Sequence, residues 1–504
     1  MAMELSNVVI LYPPQLEHMA KELQNTLGVQ ALICTTNVAA VPADASPDGS
    51  TAGIFFDAFP CASGELPNIR VHGALAGKDV VLLMSQDEEL LAPSSWSQLS
   101  LLLFLQSFVV PHPIAEHAKE KFKDSVPTGA FDMSSVRSLR VVLPWMRQCR
   151  SERTVRWARQ ADDTEPWTNT MPHGEWLDVP AAQTFAMLLS ADPMPPPGGV
   201  RAPRAPPPPP KWLLTLDIHD DLRPLDDPLA CVEGALLGSG KWANPRVAYN
   251  LLDGTGTYFA SVTHSFLVRT FRPACAACLA STFVVFPDPG AYVRFSGMFA
   301  NALQLPTDRV LYIEKSRVGL EVVQSAALFY QSTSGAKTAR ASLPDGAYVL
   351  VADDIYGSGS TFWAPATTVR AHFEGTGTVV GFITHFNAQY NPATVAAFVA
   401  RLYGDAAPCD YSFFYTSDSV PNATRWLTEE VATRVAAGQP RLVEIVPCAP
   451  VVAEWLQGTF RASPWPRAAH QAAVKYLPLA LAAAAGALAT AALVWVGGAR
   501  RSSA

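Results

Sequence analysis

The strongest constraint on this chain is an apolar run that ends in two carboxylates. Residues 348–352 read Tyr-Val-Leu-Val-Ala, a β-prone run with no polar alternation, which suits a strand buried on both faces of a parallel sheet. Asp353 and Asp354 follow at once, then the small residues Gly357, Ser358, Gly359, Ser360 and Thr361, with a helix expected from about Ala364. Open α/β sheets take ligands at the carboxyl ends of their strands, and this spacing puts both acids there. The small residues can turn backbone N–H groups and hydroxyls onto one anion ahead of the helix. A phosphorylated sugar fits the pair: carboxylates accept from adjacent ribose hydroxyls while the loop holds the 5-phosphate.

Composition bounds the rest. A chain of 504 residues, 49% hydrophobic and 16% charged, is long enough for two or more domains. A net charge of -7 and no long Lys/Arg run argue against a nucleic-acid surface, whereas small anions need only a local cationic patch. The 8 cysteines are scattered, unlike the dense framework of a small secreted domain, and read as reduced. Cys275 and Cys278 form a Cys-x-x-Cys pair among Ala and Leu with no second ligand pair nearby, which predicts core positions rather than zinc. Residues 7–12 are too short and lack the basic lead of a signal peptide; they read as a first strand. The sequon at Asn422 is therefore expected to stay unmodified. Residues 15–27 carry Leu16, Met19, Leu23 and Leu27 at helical spacing and begin an α/β alternation.

The 349–361 stretch closely resembles the ribose-phosphate loop of type I phosphoribosyltransferases and of ribose-phosphate pyrophosphokinases, the phosphoribosyl pyrophosphate (PRPP) synthetases. Other stretches, in the same order as in the synthetases, favour the second family. Gly64-Glu65 and Gly77-Lys78-Asp79-Val80 are similar to its amino-terminal pattern, in which a loop reaches the nucleotide site of a neighbouring subunit. Residues 212–220 end in Asp217-Ile218-His219-Asp220 and resemble its Asp-Leu-His signature, with Asp217 the orienting partner of His219. Pro287-Asp288-Pro289-Gly290 resembles its Pro-Asp-x-Gly, and Lys315-Ser316-Arg317 its Lys-x-Arg catalytic loop, which simple phosphoribosyltransferases lack in tandem with the other signatures. Thr384-His385 and residues 415–421 match later signatures. The resemblance spans residues 6–460, is strongest after Leu213, and in its first half is closer in spacing to divergent plant-type synthetases. Insertions at 161–175 and at the proline-rich 193–210 are this chain's own.

The resemblance implies two tandem type I phosphoribosyltransferase-like α/β domains, parallel sheets flanked by helices, at 6–222 and 223–460. It implies transfer of the diphosphoryl group of ATP to ribose 5-phosphate, giving PRPP and AMP for nucleotide biosynthesis. Lys315 and Arg317 would be catalytic; Asp353, Asp354, Gly357, Ser358, Gly359, Ser360 and Thr361 would bind ribose 5-phosphate; His219 and Asp288 would hold magnesium. ATP would meet Glu65 and one Arg-Gln pair, either Arg147-Gln148, nearer in spacing, or Arg159-Gln160, nearer in local text. The partners implied are ATP, ribose 5-phosphate and further synthetase subunits, identical or not. Two other classes compete: a non-catalytic subunit tethering active synthetases to a membrane, and a phosphoribosyltransferase that consumes PRPP.

Residues 476–496 are almost wholly apolar and are followed by Arg500-Arg501. About 20 helical residues span the roughly 30 Å hydrocarbon core, which predicts a transmembrane tail anchor behind a juxtamembrane linker at 461–475. The catalytic mass would then face the cytosol on an intracellular membrane.

Overall fold

A computed structural model describes residues 7–35, 53–57, 68–72, 78–86, 136–146, 156–158, 175–177, 211–217, 246–249, 256–318, 321–332, 334–405 and 409–461. The first half supplies strands β1 (Val8–Tyr12), β2 (Gln30–Thr35), β3 (Gly53–Asp57), β4 (Asn68–His72), β5 (Asp79–Leu83), β6 (Ser138–Leu143), β7 (Arg156–Ala158), β8 (Glu175–Leu177), β9 (Lys211–Leu216), β10 (Arg246–Tyr249) and β11 (Gly256–Ala260). The second half supplies β12 (Thr282–Phe286), β13 (Val310–Val318), β14 (Glu321–Gln331), β15 (Lys337–Arg340), β16 (Ala347–Tyr356), β17 (Gly377–Phe386), β18 (Phe413–Ser417) and β19 (Val443–Val446). Six helices matter below: α1 (Glu17–Leu27), α2 (Pro289–Leu303), α3 (Ser360–Ala371), α4 (Pro392–Leu402), α5 (Pro421–Ala436) and α6 (Ala449–Arg461).

Every residue of β1, β5, β6 and β12 is buried, so these apolar runs are covered on both faces, as parallel strands between helical layers must be. Helix α1 buries Met19, Ala20, Leu23 and Leu27 and ends at Gly28, whose φ of 66° allows the left-handed cap. The first sheet runs β10-β11-β9-β6-β5-β1-β2-β3-β4 and the second β15-β14-β13-β12-β16-β17-β18-β19. Inside each lies the same parallel order: β2-β1-β5-β6-β9-β11 in one and β13-β12-β16-β17-β18-β19 in the other. That repetition is the topological mark of a duplicated unit. Strands β10 and β11 belong to the first sheet, so the chain passes from the first sheet to the second after Ala260.

The halves interlock. Helix α6, last in the described chain, packs against α1, the first, and Phe266, just past the crossing, stacks on Phe382 of β17 at 4.0 Å. Cys275 is 2% exposed, and desolvation pushes its thiol up to about 11. The sequon side chain Asn422 is buried in the first turn of α5. Asp79 stands at the amino end of β5, holding Arg137 and Ser138 at the start of β6, at the opposite edge of the sheet from the strands' carboxyl ends.

One element of the expected fold is corrected. Among the described residues no helix is long and apolar enough to cross a membrane. The longest, α5, has 16 residues, about 24 Å at 1.5 Å per residue, and carries Arg425, Glu429, Glu430 and Arg434. The span expected at 476–496 lies outside the described residues, as do 462–475 of its linker and the proline-rich insertion, and the transmembrane helix is withdrawn from the fold.

Candidate functional site

In the second sheet, β13 follows β12 on one side and β16 joins it on the other, so strand order reverses between β12 and β16. Such a switch point opens a crevice at the carboxyl ends of the two strands. The register pairs Val285 with Val351, which brings Asp288, beyond β12, level with Asp354. The sequence predicted that the strand would stop at Ala352. It continues through both acids to Tyr356, because β17 pairs with it as far as Phe386.

Being inside a strand, the two acids face opposite sides of the sheet. Asp354 shares the face of Leu350 and Ala352, which α2 covers with Ala291, Phe295 and Phe299. It is 3% exposed and paired with Arg294 of α2 at 3.5 Å. Asp353 shares the face of Val349, Val351 and Ile355, which α3 covers with Trp363, Ala366 and Val369. It is only half-buried, and its Oδ1 accepts from the N–H of Asp354 at 3.0 Å.

The glycine-serine segment turns directly into α3, whose first residue is Ser360, four positions earlier than Ala364. Gly359 caps the helix at φ 83°, and its C=O accepts from Phe362 at 3.1 Å and Trp363 at 3.4 Å. The earlier N–H groups of such a turn have no intrahelical acceptor, which suits an anion. Beneath the loop lies the Tyr356 ring, packed on Phe362, Phe386 and Phe398, its phenol pushed up to about 12 by burial. A Cβ at Gly359 would stand 2.4 Å from the Tyr356 hydroxyl. Gly359→Ala combines left-handed strain with that overlap, and thermal unfolding is expected to show a loss of about 2 kcal/mol. Unchanged stability would mean that the loop is not held as described.

Lys315 and Arg317 lie on β13, not in a loop. The pairing of Phe286 with Tyr312 places both residues past the end of β12, on the part of the β13–β14 hairpin that overhangs the crevice. They stand opposite Gln324 and Val322, two positions apart and so on one face of the strand, beyond a register shift between Ile313 and Lys315.

Asp288 is the N-cap of α2, its Oδ1 accepting from Ala291 N–H at 2.8 Å. Among the described residues no group of three His, Cys, Asp or Glu side chains could hold a metal. Magnesium commonly keeps its waters and substrate phosphates and takes one or two carboxylates from the protein, so a single oxygen donor such as Asp288 fits its chemistry. His219, Glu65, Arg147, Gln148, Arg159 and Gln160 lie outside the described residues.

No family model and no curated protein sequence matches the chain. Among solved structures it is similar to a phosphoribosylpyrophosphate synthetase from Mycobacterium smegmatis, with 14% identity and a TM-score of 0.46 over 90% of this chain and 99% of that one. It is also similar to an adenine phosphoribosyl transferase from Trypanosoma brucei in complex with AMP, pyrophosphate and ribose-5-phosphate. There the identity is 15% and the TM-score 0.20, over 36% of this chain and 80% of that one. For the adenine phosphoribosyltransferase of Leishmania donovani the figures are 18% and 0.20, over 45% and 96%.

A second cluster joins the halves. His385, fully buried on β17, puts Nε2 2.9 Å from the Asp217 carbonyl and Nδ1 2.8 Å from Ser419 Oγ, with the Trp145 ring 4.4 Å away. A carbonyl can only accept, so Nε2 carries the proton and Ser419 donates to Nδ1. Thr263 and Thr384 bond at 2.7 Å beside it, and Trp145 Nε1 donates to Tyr390 Oη at 2.6 Å. Asp217 has φ 37°, and its carboxylate accepts from Val262 N–H at 2.7 Å and Thr263 N–H at 3.0 Å; His219, for which the sequence expects it to be the orienting partner, lies outside the described residues. Sequence reasoning singled out Thr384-His385 and residues 415–421 but gave them no role. It missed Arg294 and Trp145, whose partners are far along the chain.

Desolvation pushes Asp217 up to about 6, against the pull of those N–H donors. The folded state then binds the proton more tightly than the unfolded one, so the stabilisation is complete below about pH 4 and lost as pH rises through about 6. Asp418, also raised by burial, adds with the same sign. Asp217→Asn keeps an acceptor for both N–H groups and removes the charge. It is expected to raise stability at pH 7 by about 2 kcal/mol and to flatten the fall between pH 4 and 7 in thermal melts. A slope identical to the parent's would contradict this burial.

Proposed function

We propose that the chain is a ribose-phosphate diphosphokinase. The observation that carries the reading is the meeting, at one switch point, of a half-buried carboxylate and a glycine-serine helix cap on the same face of the sheet, with two cations on the overhanging hairpin. Asp353, with Asp354 behind it, accepts from the ribose hydroxyls. The backbone and hydroxyls of 357–361, including Gly357, Ser358, Ser360 and Thr361, hold the 5-phosphate. The anomeric hydroxyl attacks the β-phosphorus of ATP, the bond from that phosphorus to the α–β bridging oxygen breaks, and AMP leaves. Lys315 and Arg317 stabilise the charge developing on the transferred group, and positioning accounts for much of the acceleration. Magnesium, held by Asp288 with His219 of the first half, neutralises the phosphate oxygens when bound. Glu65 and one of the two Arg-Gln pairs belong to the nucleotide end, and the protein assembles with further synthetase subunits.

Calorimetry on the full chain tests the site before any chemistry. Ribose 5-phosphate is expected to bind, ribose to bind at least about 100-fold more weakly for want of the charged phosphate contacts, and a parent that treats them alike would overturn the reading.

A further inference from the structure

Arg294 lies on α2 beside the switch point, and none of the sequence motifs includes it. Its guanidinium is 14% exposed and meets the almost buried Asp354 at 3.5 Å, across the sheet face that does not carry the glycine-serine loop. At Gly290, between Asp288 and Arg294, a Cβ would stand 3.2 Å from Asp288 Oδ1 and in ordinary contact, 3.6 Å, with Arg294 Nη1. Among the described residues its buried Nε has no hydrogen-bond partner. A cation set into an apolar layer with one donor left over is a costly way to fill space, and well-packed apolar residues commonly do as well or better. Its placement makes sense as service to the carboxylate.

We infer that Arg294 is a positioning residue for Asp354 and that the two acids divide the work. Asp354 is the anchor, oriented by Arg294. Asp353, the more exposed and on the loop's side of the sheet, is the principal acceptor of the ribose hydroxyls. Asp354 reaches the sugar only at the rim of the strand, in the orientation that Arg294 imposes. The inference deepens the functional reading given above and rests on it.

The test is ribose 5-phosphate binding to the full chain by calorimetry, in the parent, Arg294→Met, Arg294→Lys, Asp354→Asn and the Arg294→Met/Asp354→Asn double variant. Arg294→Met is expected to weaken binding about tenfold, the usual weight of one charge-assisted contact, and Arg294→Lys to restore most of it. In the Asp354→Asn background Arg294→Met is expected to add less than about twofold, because its effect passes through Asp354. A residue that served only packing would give a loss of stability tracked equally by both backgrounds and no recovery of affinity with Lys. Arg294→Lys keeps the charge and guards against a Met variant that does not fold. Affinity unchanged in both Arg294 variants, or full additivity with Asp354→Asn, would overturn the assignment while leaving the sugar-phosphate site standing. A parent that binds no ribose 5-phosphate would overturn the functional reading and this inference together.

Discussion

Replacing Lys315 or Arg317 with Ala is expected to lower kcat about 100- to 1000-fold while moving the KM values for ATP and ribose 5-phosphate far less. The reason is where the charge appears. A cation that meets the β-phosphoryl group only as it passes between oxygens contributes to the transition state and little to the ground state. Both residues lie on the part of β13 that extends past the end of β12, two positions apart. About 3 to 4 kcal/mol of barrier is at stake at either position. Steady-state rates on protein free of other synthetase subunits decide the matter. Variants within about threefold of an active parent would remove these residues from the chemistry, and an inactive parent with unchanged variants would mark a non-catalytic subunit.

Asp353→Asn and Asp354→Asn are expected to behave differently, although the residues are adjacent. Asp353 is half-buried on the face of the loop, so its loss should weaken ribose 5-phosphate binding about 10- to 100-fold with stability nearly unchanged. Asp354 is 3% exposed and pairs with Arg294, so its neutralisation leaves a buried cation without its counter-charge and should cost about 3 kcal/mol of stability in denaturant unfolding. Equal destabilisation by the two substitutions would contradict the assignment of the acids to opposite faces.

Much of the frame could be read from the chain because parallel strands covered on both faces leave an unmistakable record. The runs at 8–12 and 348–352 are strands for the reason that made them readable. The glycine-serine segment was readable as the turn that opens a helix, and Gly359 at φ 83° shows that its backbone needs a residue of that kind. Other features depend on partners far along the chain. Strand β16 passes Ala352 because β17 continues beside it, and local composition does not record a neighbour's length. The split of the Asp doublet across the sheet follows from that extension. Arg294 and Asp354 are 60 positions apart, and Asp217 and His385 are joined across 168, so neither pair has a local signal. Strands β10 and β11 join the first sheet through pairings that local composition does not record.

In the proposed reaction the β-phosphorus of ATP is the atom attacked. Purified full-length protein should therefore be given ribose 5-phosphate, magnesium and ATP labelled at the β-phosphorus. The expected result is label in a new sugar product together with one unlabelled AMP per product formed. Label recovered in ADP, or AMP formed at the same rate without ribose 5-phosphate, would contradict it.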